Sequence, residues 1–455
     1  MDMKNKKVLV FGSGISGIGA GKLLEQVGAS VVLYDGKETL DKEVLKAQLG
    51  DDTKAEIILG ELSEEVMETL DLVVMSPGVP TDLPVVLKMR DMGIPIWGEV
   101  ELAYTYGKGD VLAITGTNGK TTTTALLGEI MKNYQEDVFV VGNIGIPYTE
   151  LCDTTDDDSD TVAEISSFQL ETVIDFHPNV SAILNLTPDH LNRHYTFENY
   201  GNVKFSITKN QTMDDVTVLN YDDEHTRAMG EKAKDHCHVV YFSRLEKPAG
   251  GVYVEDGDII LEDGDKKINV LAIKDLKLMG AHNVENVLAA VGISYYMGVP
   301  VDVIRDVATS FKAVAHRIEY VDTIDGVAYY NDSKGTNPDA AIKGIQAMVA
   351  PTFLIGGGYD KGSEYDEWIE AFDGKVKWLV LIGQTAQKIA DCAKRHGFNS
   401  IIFEENLQDA VAYCHENAVD GDAVLLSPAC ASWGQFDNYE QRGDMFKEYV
   451  RSYKE

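Results

Sequence analysis

A lysine and a hydroxyl stand together at the end of a glycine loop. Gly116, Thr117, Asn118, Gly119, Lys120, Thr121 and Thr122 follow the apolar run 110–115 and precede an amphipathic stretch. In the order strand, glycine loop, helix, backbone N–H groups and the positive helix end meet phosphate oxygens, the lysine reaches the terminal phosphates and the hydroxyl ligates Mg2+. These seven residues therefore predict ATP chemistry. The commoner loop carries a glycine five positions before the Gly of Gly-Lys-Thr; Ile114 holds that place, so this is a shorter variant.

A second glycine pattern, Gly12, Gly14 and Gly17, follows the apolar run 7–11, and Asp35 ends the next apolar run. This matches the dinucleotide fingerprint in form. Such a loop recognises phosphate rather than nicotinamide, so NAD and another diphosphate, such as a UDP-sugar, both fit.

Other residue types are suggestive only in combination. Glu164 ends a strand-like run, where a phosphate-loop protein places a metal-ligating carboxylate, although a lone Glu at a strand end is more often a solvated or paired carboxylate. His190 and His194 have the spacing of a zinc pair on a helix, but no Glu stands beside the first, which makes zinc the poorer reading. Asn283 and Asn286, three apart, suit the flat edge of a base or a helix cap. Lys204 reads locally as an ordinary surface lysine. In the last third, three polar loops follow apolar runs: 331–338 with Asp332, Lys334 and Thr336, 355–361 with Lys361, and 427–432 with Ser432. Loops of this kind, each opening a helix at the carboxyl edge of one sheet, predict a shared anion site.

Positioning these groups requires parallel sheets. Apolar runs alternate with helical patterns along the chain, which predicts an α/β protein of three domains. An N-terminal Rossmann-like domain is expected over 1–98, a central P-loop ATPase-like domain over 99–313 and a C-terminal Rossmann-like domain over 314–455, with sites in the clefts between them. Short alternating runs near 252, 258 and 268, separated by Asp-Gly, predict antiparallel hairpins added to the central sheet. The acidic tract 153–160 reads as a solvated loop.

Composition narrows the class. Among 455 residues, 40 Lys and Arg face 74 Asp and Glu, a formal charge of -34 that repels phosphodiester backbones and argues against nucleic acid. A hydrophobic fraction of 44% with 25% charged residues is that of a folded globular chain. Five dispersed cysteines without a Cys-x-x-Cys pair suit a reducing compartment, and no apolar run approaches a membrane span. Met1 runs into a strand pattern without a secretory leader. A cytoplasmic enzyme acting on small molecules, as a monomer, is the expectation.

Taken together, the loop at 116–121, Glu164 with Ser166 and Gln169, Pro188 with His190, His282 with Asn283 and Asn286, His316 with Arg317, and Asp332 with Lys334 and Thr336 resemble the Mur ligase family in order and spacing, end to end. Within it, the long segment 427–446 is similar to that of the members that add D-glutamate. The resemblance implies ATP-dependent amide formation. The carboxylate of UDP-N-acetylmuramoyl-L-alanine takes the γ-phosphoryl group, and the acyl phosphate is attacked by the amine of D-glutamate. It further implies Mg2+ at Thr121, Glu164 and His190, with Lys204 carbamylated into a carboxylate-like anion at the metal. Asn283, Asn286, Arg317, Asp332 and Lys334 are then expected on ATP. Thr336, Lys361, Ser432 and Tyr439 are expected on D-glutamate, Tyr439 standing where the family often has phenylalanine. Gly14, Ile15, Ser16, Asp35, Gly36, Asn143, Ser166 and Gln169 are expected on the UDP-linked substrate. The glycine fingerprint becomes a look-alike for NAD binding. A sister ligase adding another amino acid, a folylpolyglutamate synthetase and, from another class, a dinucleotide-dependent oxidoreductase are the alternatives.

Overall fold

The computed structural model describes residues 2–143, 146–278, 280–312 and 315–454, with the backbone alone at Asn192 and Asp339. The boundary expected between Ala313 and Val314 lies outside the described residues. Three sheets carry the fold, and the chain divides into two compact units: Met1–Asp275 with Glu285–Thr309, and Leu276–Val284 with Ser310–Glu455.

The first sheet holds β1 (Lys7–Phe11), β2 (Ser30–Asp35), β3 (Glu56–Leu59), β4 (Leu72–Met75) and β5 (Ile96–Gly98) in the order β3-β2-β1-β4-β5, all parallel. Strand β1 beyond Lys7 and strand β4 throughout are apolar because both faces are covered. Val8, Val10, Leu72 and Val74 enter one core, and Leu9, Phe11, Val73 and Met75 enter another on the opposite face. Strand order reverses between β1 and β4. A crevice opens at such a switch point, at the carboxyl ends of the strands, and the glycine loop 12–17 sits there.

The second sheet holds β6 (Asp110–Thr115), β7 (Val138–Gly142), β8 (Asp160–Glu164), β9 (Val180–Ile183), β10 (Val216–Asn220), β11 (His238–Ser243), β12 (Gly251–Glu255), β13 (Asp258–Asp263) and β14 (Lys266–Ala272), in the order β14-β13-β12-β11-β10-β9-β6-β8-β7. Strands β7 to β12 pair in parallel and β12, β13 and β14 form the expected antiparallel hairpins. Asp256 and Gly257, at φ 51 and 86, make the first hairpin turn, whose twist suits two residues of positive φ. The acidic tract departs from expectation at its end. Ser159 and Asp160 are buried, because Asp160 is the first residue of β8 and pairs with both Asp110 and Val138 inside the sheet. Burial, with Asp110 adding repulsion, pushes the Asp160 carboxyl up to about 7.

The second unit is built on the third sheet, β15 (Glu319–Ile324), β16 (Val327–Asn331), β17 (Thr352–Gly356), β18 (Val376–Leu381), β19 (Ile401–Phe403) and β20 (Ala423–Leu426), in the order β15-β16-β20-β17-β18-β19. All neighbours are parallel except β15 and β16. Strand β15 is absent from the sequence expectation; its signal was Asp325-Gly326, a hairpin turn with both residues at positive φ. No helix among the described residues is long and apolar enough to cross a membrane.

Candidate active site

The glycine loop leaves β6 and enters the helix Lys120–Lys132. Gly116 and Gly119 have φ of 146 and 87, and a Cβ on Gly119 would lie 2.2 Å from Asn286 Oδ1, so both backbone form and space demand glycine. Asn185 clamps the loop from the end of β9. Its Oδ1 accepts from Asn118 N at 2.8 Å and its Nδ2 donates to Asn118 O at 3.0 Å. Thr117 Oγ1 lies 3.0 Å from the Tyr200 hydroxyl and donates to Thr187 O at 3.1 Å. Lys120 Nζ donates to Gly116 O at 2.8 Å and Thr117 O at 2.9 Å, which stations its charge over the loop. Asn286 accepts from Thr123 Oγ1 at 3.3 Å, so it backs the loop, while Asn283, also buried, lies on the same helix Ala281–Tyr296.

Lys204 is not the surface lysine of the local reading. It is 1% exposed on the helix Phe197–Phe205, with Nζ 2.9 Å from Gly116 O and 4.8 Å from the Tyr200 ring centroid. Burial and the neighbouring Lys120 charge hold its ammonium well below the usual lysine range, against the opposing pull of Asp189 and Glu164. The structure thus gathers Lys120, Lys204, Asp189 and Glu164 around one loop. Glu164 is buried at the end of β8 and accepts from Asn143 Nδ2 at 3.1 Å.

The histidines separate into two roles. His190 caps the short helix Leu191–His194 at φ 52, 3.5 Å from Asp189 Oδ2. His194 is buried, with Nε2 3.0 Å from Ser167 Oγ and Nδ1 3.5 Å from Glu171. His194 is thus committed to its own network, and burial, opposed by Glu171 and aided by the cations Arg193 and Lys204, lowers its affinity for a proton.

A cleft of about 820 Å³ opens at the switch point of the first sheet, lined by Gly14, Ile15, Ser16, Asp35, Gly36, Asn143 and Gln169 among others. Gly12 is at φ 101, and a Cβ on Gly17 would lie 1.8 Å from Gly12 O, whereas one on Gly14 would meet nothing within 4 Å. These three positions serve the turn, the helix packing and the open approach for a ligand. Asp35 Oδ2 accepts from Ser13 N at 3.1 Å and Ser13 Oγ at 2.7 Å. Burial works to raise its pKa, but these bonds and those of Lys37 hold the carboxyl below its usual range.

Ser166 and Gln169, both expected from the sequence, are held in place by Glu99, while Glu171 and Arg193 brace Val79 nearby; sequence reasoning missed Glu99, Glu171 and Arg193. Ser166 and Gln169 form a reciprocal cap, Gln169 Oε1 accepting from Ser166 N at 2.8 Å. Gln169 Nε2 then donates at 2.6 Å to Glu99, which is 1% exposed. Arg193 joins Glu171, at 2.6 Å, to the backbone carbonyl of Val79, at 2.8 Å, on the cleft's opposite side.

In the second unit the three polar loops do meet, because β16, β20 and β17 are adjacent. Ser427 Oγ donates to Asp332 Oδ2 at 2.7 Å, Gly357 N to Pro428 O at 2.8 Å, and Tyr359 N to Ala431 O at 2.9 Å. Buried Arg442, from the helix Tyr439–Arg451, fastens two of them, donating to Ser333 Oγ, Ser333 O and Cys430 O at 2.9, 2.7 and 3.1 Å. Burial lowers its pKa to about 10 and raises that of Asp332 to about 7. Lys334 lies over the Tyr439 ring and Lys361 over the Trp433 ring, next to Ser432, so cations and aromatic faces rim the junction. Thr336 N donates to Lys334 O at 2.8 Å. Arg317 Nε is buried without a protein partner among the described residues, as a donor reserved for a ligand would be.

Three family models match: "Mur ligase MurD-like, N-terminal domain" over residues 6–98, "Mur ligase middle domain" over 114–294 and "Mur ligase, glutamate ligase domain" over 316–430. The chain is 57% identical over 452 residues to the UDP-N-acetylmuramoylalanine–D-glutamate ligase of Lachnospira eligens, covering 99% of this chain and 100% of that protein. It is 54% identical to that of Lachnoclostridium phytofermentans, covering 100% of both. Among solved structures, the UDP-N-acetylmuramate-alanine ligase MurC from Thermotoga maritima shares the fold with a TM-score of 0.61 at 20% identity, over 99% of this chain and 100% of that one. MurF from Acinetobacter baumannii follows at 0.60 and 17%, over 92% and 91%.

Proposed function

Because this chain belongs to the Mur ligase family, we propose that it joins D-glutamate to the L-alanyl carboxylate of UDP-N-acetylmuramoyl-L-alanine with ATP, in peptidoglycan precursor synthesis. The observation that carries this reading is full-length identity of 57% to a ligase of that name. The carboxylate takes the γ-phosphoryl group as ADP leaves; the D-glutamate amine then forms the amide and phosphate departs.

Phosphoryl transfer asks for positioning and charge neutralisation rather than covalent help. Lys120, with the backbone of residues 116–122, is assigned to the phosphates of ATP. Thr121, Glu164, His190 and carbamylated Lys204 would hold Mg2+, a donor set of oxygens with one imidazole. The ion would neutralise charge on the transferring phosphoryl oxygens. The residues fit this group. Glu164 is buried and 3.1 Å from an amide that orients it, and a lysine that resists protonation is the one whose neutral amine can take up carbon dioxide.

Gly14, Ile15, Ser16, Asp35, Gly36, Asn143, Ser166 and Gln169 are assigned to the UDP-linked substrate; all but Ser166 line the 820 Å³ cleft. Asn283, Asn286, Arg317, Asp332 and Lys334 are assigned to ATP. Thr336, Lys361, Ser432 and Tyr439 are assigned to D-glutamate, whose second carboxylate a lysine discriminates from a neutral side chain. A cytoplasmic monomer with domains over 1–98, 99–313 and 314–455 completes the reading. The test is phosphate release from purified protein with UDP-N-acetylmuramoyl-L-alanine, ATP, Mg2+ and a panel of amino acids. D-glutamate alone is expected to support turnover, and Lys120→Ala to abolish it. Turnover with another amino acid in place of D-glutamate, or retained turnover in Lys120→Ala, refutes the assignment.

A further inference from the structure

Far along the second unit, outside every residue used above, two helices face each other with a set of unlike donors. Asp366 begins the helix Asp366–Glu370; Cys392 lies in the helix Ala386–Arg395 and His396 caps its end, one turn after Cys392. One ligand atom from each of Asp366, Cys392 and His396 lies within 4.8 Å of the other two, the one such trio of His, Cys, Asp or Glu among the described residues. His396 Nε2 is 2.8 Å from Asp366 Oδ1, and its Nδ1 is 3.6 Å from Glu370 Oε1. Cys392 is buried and the carboxylate and imidazole are half-exposed, so the thiol forms the floor of a shallow site open to solvent.

From this juxtaposition we propose that Asp366, Cys392 and His396 bind a borderline-soft divalent ion of the zinc class, with water as the fourth ligand. Tetrahedral zinc bound by sulfur, nitrogen and oxygen keeps its donors about 3.5 Å apart, between the 2.8 Å of the Asp366–His396 contact, which opens, and the 4.8 Å that bounds the trio. Thiolate and imidazole donors select against Mg2+ and Ca2+, which take oxygen, so this site does not compete for the ion of the phosphoryl transfer. Arg395 Nη2, 3.5 Å from Asp366 Oδ1 and largely exposed, swings to solvent as the ion neutralises the carboxylate. A thiol must give up its proton to become a metal ligand. Forming the metal–sulfur bond therefore releases one proton to buffer. The ion staples the helix that carries buried Trp368 to its neighbour.

Cobalt reports the site, because a Co2+–thiolate bond gives a near-ultraviolet charge-transfer band that oxygen ligands do not. Full-length protein, stripped with chelator and held in excess Mg2+, is titrated with Co2+ and then with Zn2+. Expected are one thiolate-bound cobalt per chain, one proton released per ion, and displacement of the band by Zn2+. Cys392→Ser is expected to abolish the band, and His396→Gln and Asp366→Asn to weaken binding at least tenfold while turnover in Mg2+ is unchanged. Zinc is expected to raise the thermal midpoint of the parent and not of His396→Gln, since an ion that binds only the folded state stabilises it. Absence of a charge-transfer band, its persistence in Cys392→Ser, or unaltered affinity in the two surface variants overturns the proposal; His396→Gln and Asp366→Asn keep the test decisive if Cys392→Ser fails to fold.

Discussion

Glu99 offers the sharpest test of how the cleft wall is held. Its carboxyl is 1% exposed; Oε1 accepts from Gln169 and Oε2 is buried without a partner among the described residues. Burial, only partly offset by the Gln169 bond, raises its pKa from 4.5 to about 7. Between those values the folded chain keeps a proton that the unfolded chain has lost, so the unfolded state binds fewer protons and stability falls as pH rises. The contribution is complete below the unfolded pKa and gone once pH passes the folded one. The sequence pI of about 4.6 confines measurement to pH 5.5 and above, to keep the protein in solution. From pH 5.5 to 8.5 the loss is about 2 kcal/mol at 1.36 kcal/mol per pH unit. Glu99→Gln cannot ionise but keeps a carbonyl for Gln169. The variant is therefore expected to gain about 2 kcal/mol on the parent over that range; any constant offset from burying an amide cancels. Urea unfolding, followed by hydrogen exchange of the peptide covering Glu99–Tyr106, assigns the midpoint to this unit rather than to the other. A stability difference that does not change with pH, or that changes in the opposite direction, refutes the reasoning.

Four further outcomes are expected. Gly17→Ala, whose Cβ would meet a backbone carbonyl at 1.8 Å, should weaken binding of the UDP-linked substrate at least tenfold by calorimetry and leave nucleotide binding intact. Tyr200→Phe removes the hydroxyl 3.0 Å from Thr117 and should cost about 1 kcal/mol of stability, with a several-fold rise in KM for ATP. Arg442→Lys cannot reach two loops with one ammonium and should lose about 3 kcal/mol of stability, raising KM for D-glutamate more than KM for ATP. For Lys204, carbon-13 bicarbonate should produce a carbamate resonance that is missing in Lys204→Arg, whose activity is lost. A parent enzyme without that resonance at full activity would remove the carbamylation assignment.

Much of the fold was legible because its signals are local. Glycines at 12, 17, 116 and 119 answer to backbone form or to space within a few residues, and continuous apolar runs mark strands covered on both faces. The same locality explains two misses. Strand β15 is half-exposed and lacks a continuous run, and the acidic tract hides a strand's first residue at its end. Lys204 was informative only through resemblance, since neither its neighbours nor its helix marks it as buried.

Sequence by itself thus determined the glycine loops, the alternation into three sheets and the residue types available for chemistry, because glycine geometry and apolar periodicity act over a handful of residues. Tertiary structure alone decided which side chains leave water. Lys204 meets Gly116 across 88 residues, Gln169 meets Glu99 across 70, and Arg442 meets Ser333 across 109. Burial is a property of the partners that arrive from elsewhere in the chain, and burial is what turns an ordinary lysine, glutamate or arginine into one with a perturbed charge and a fixed place.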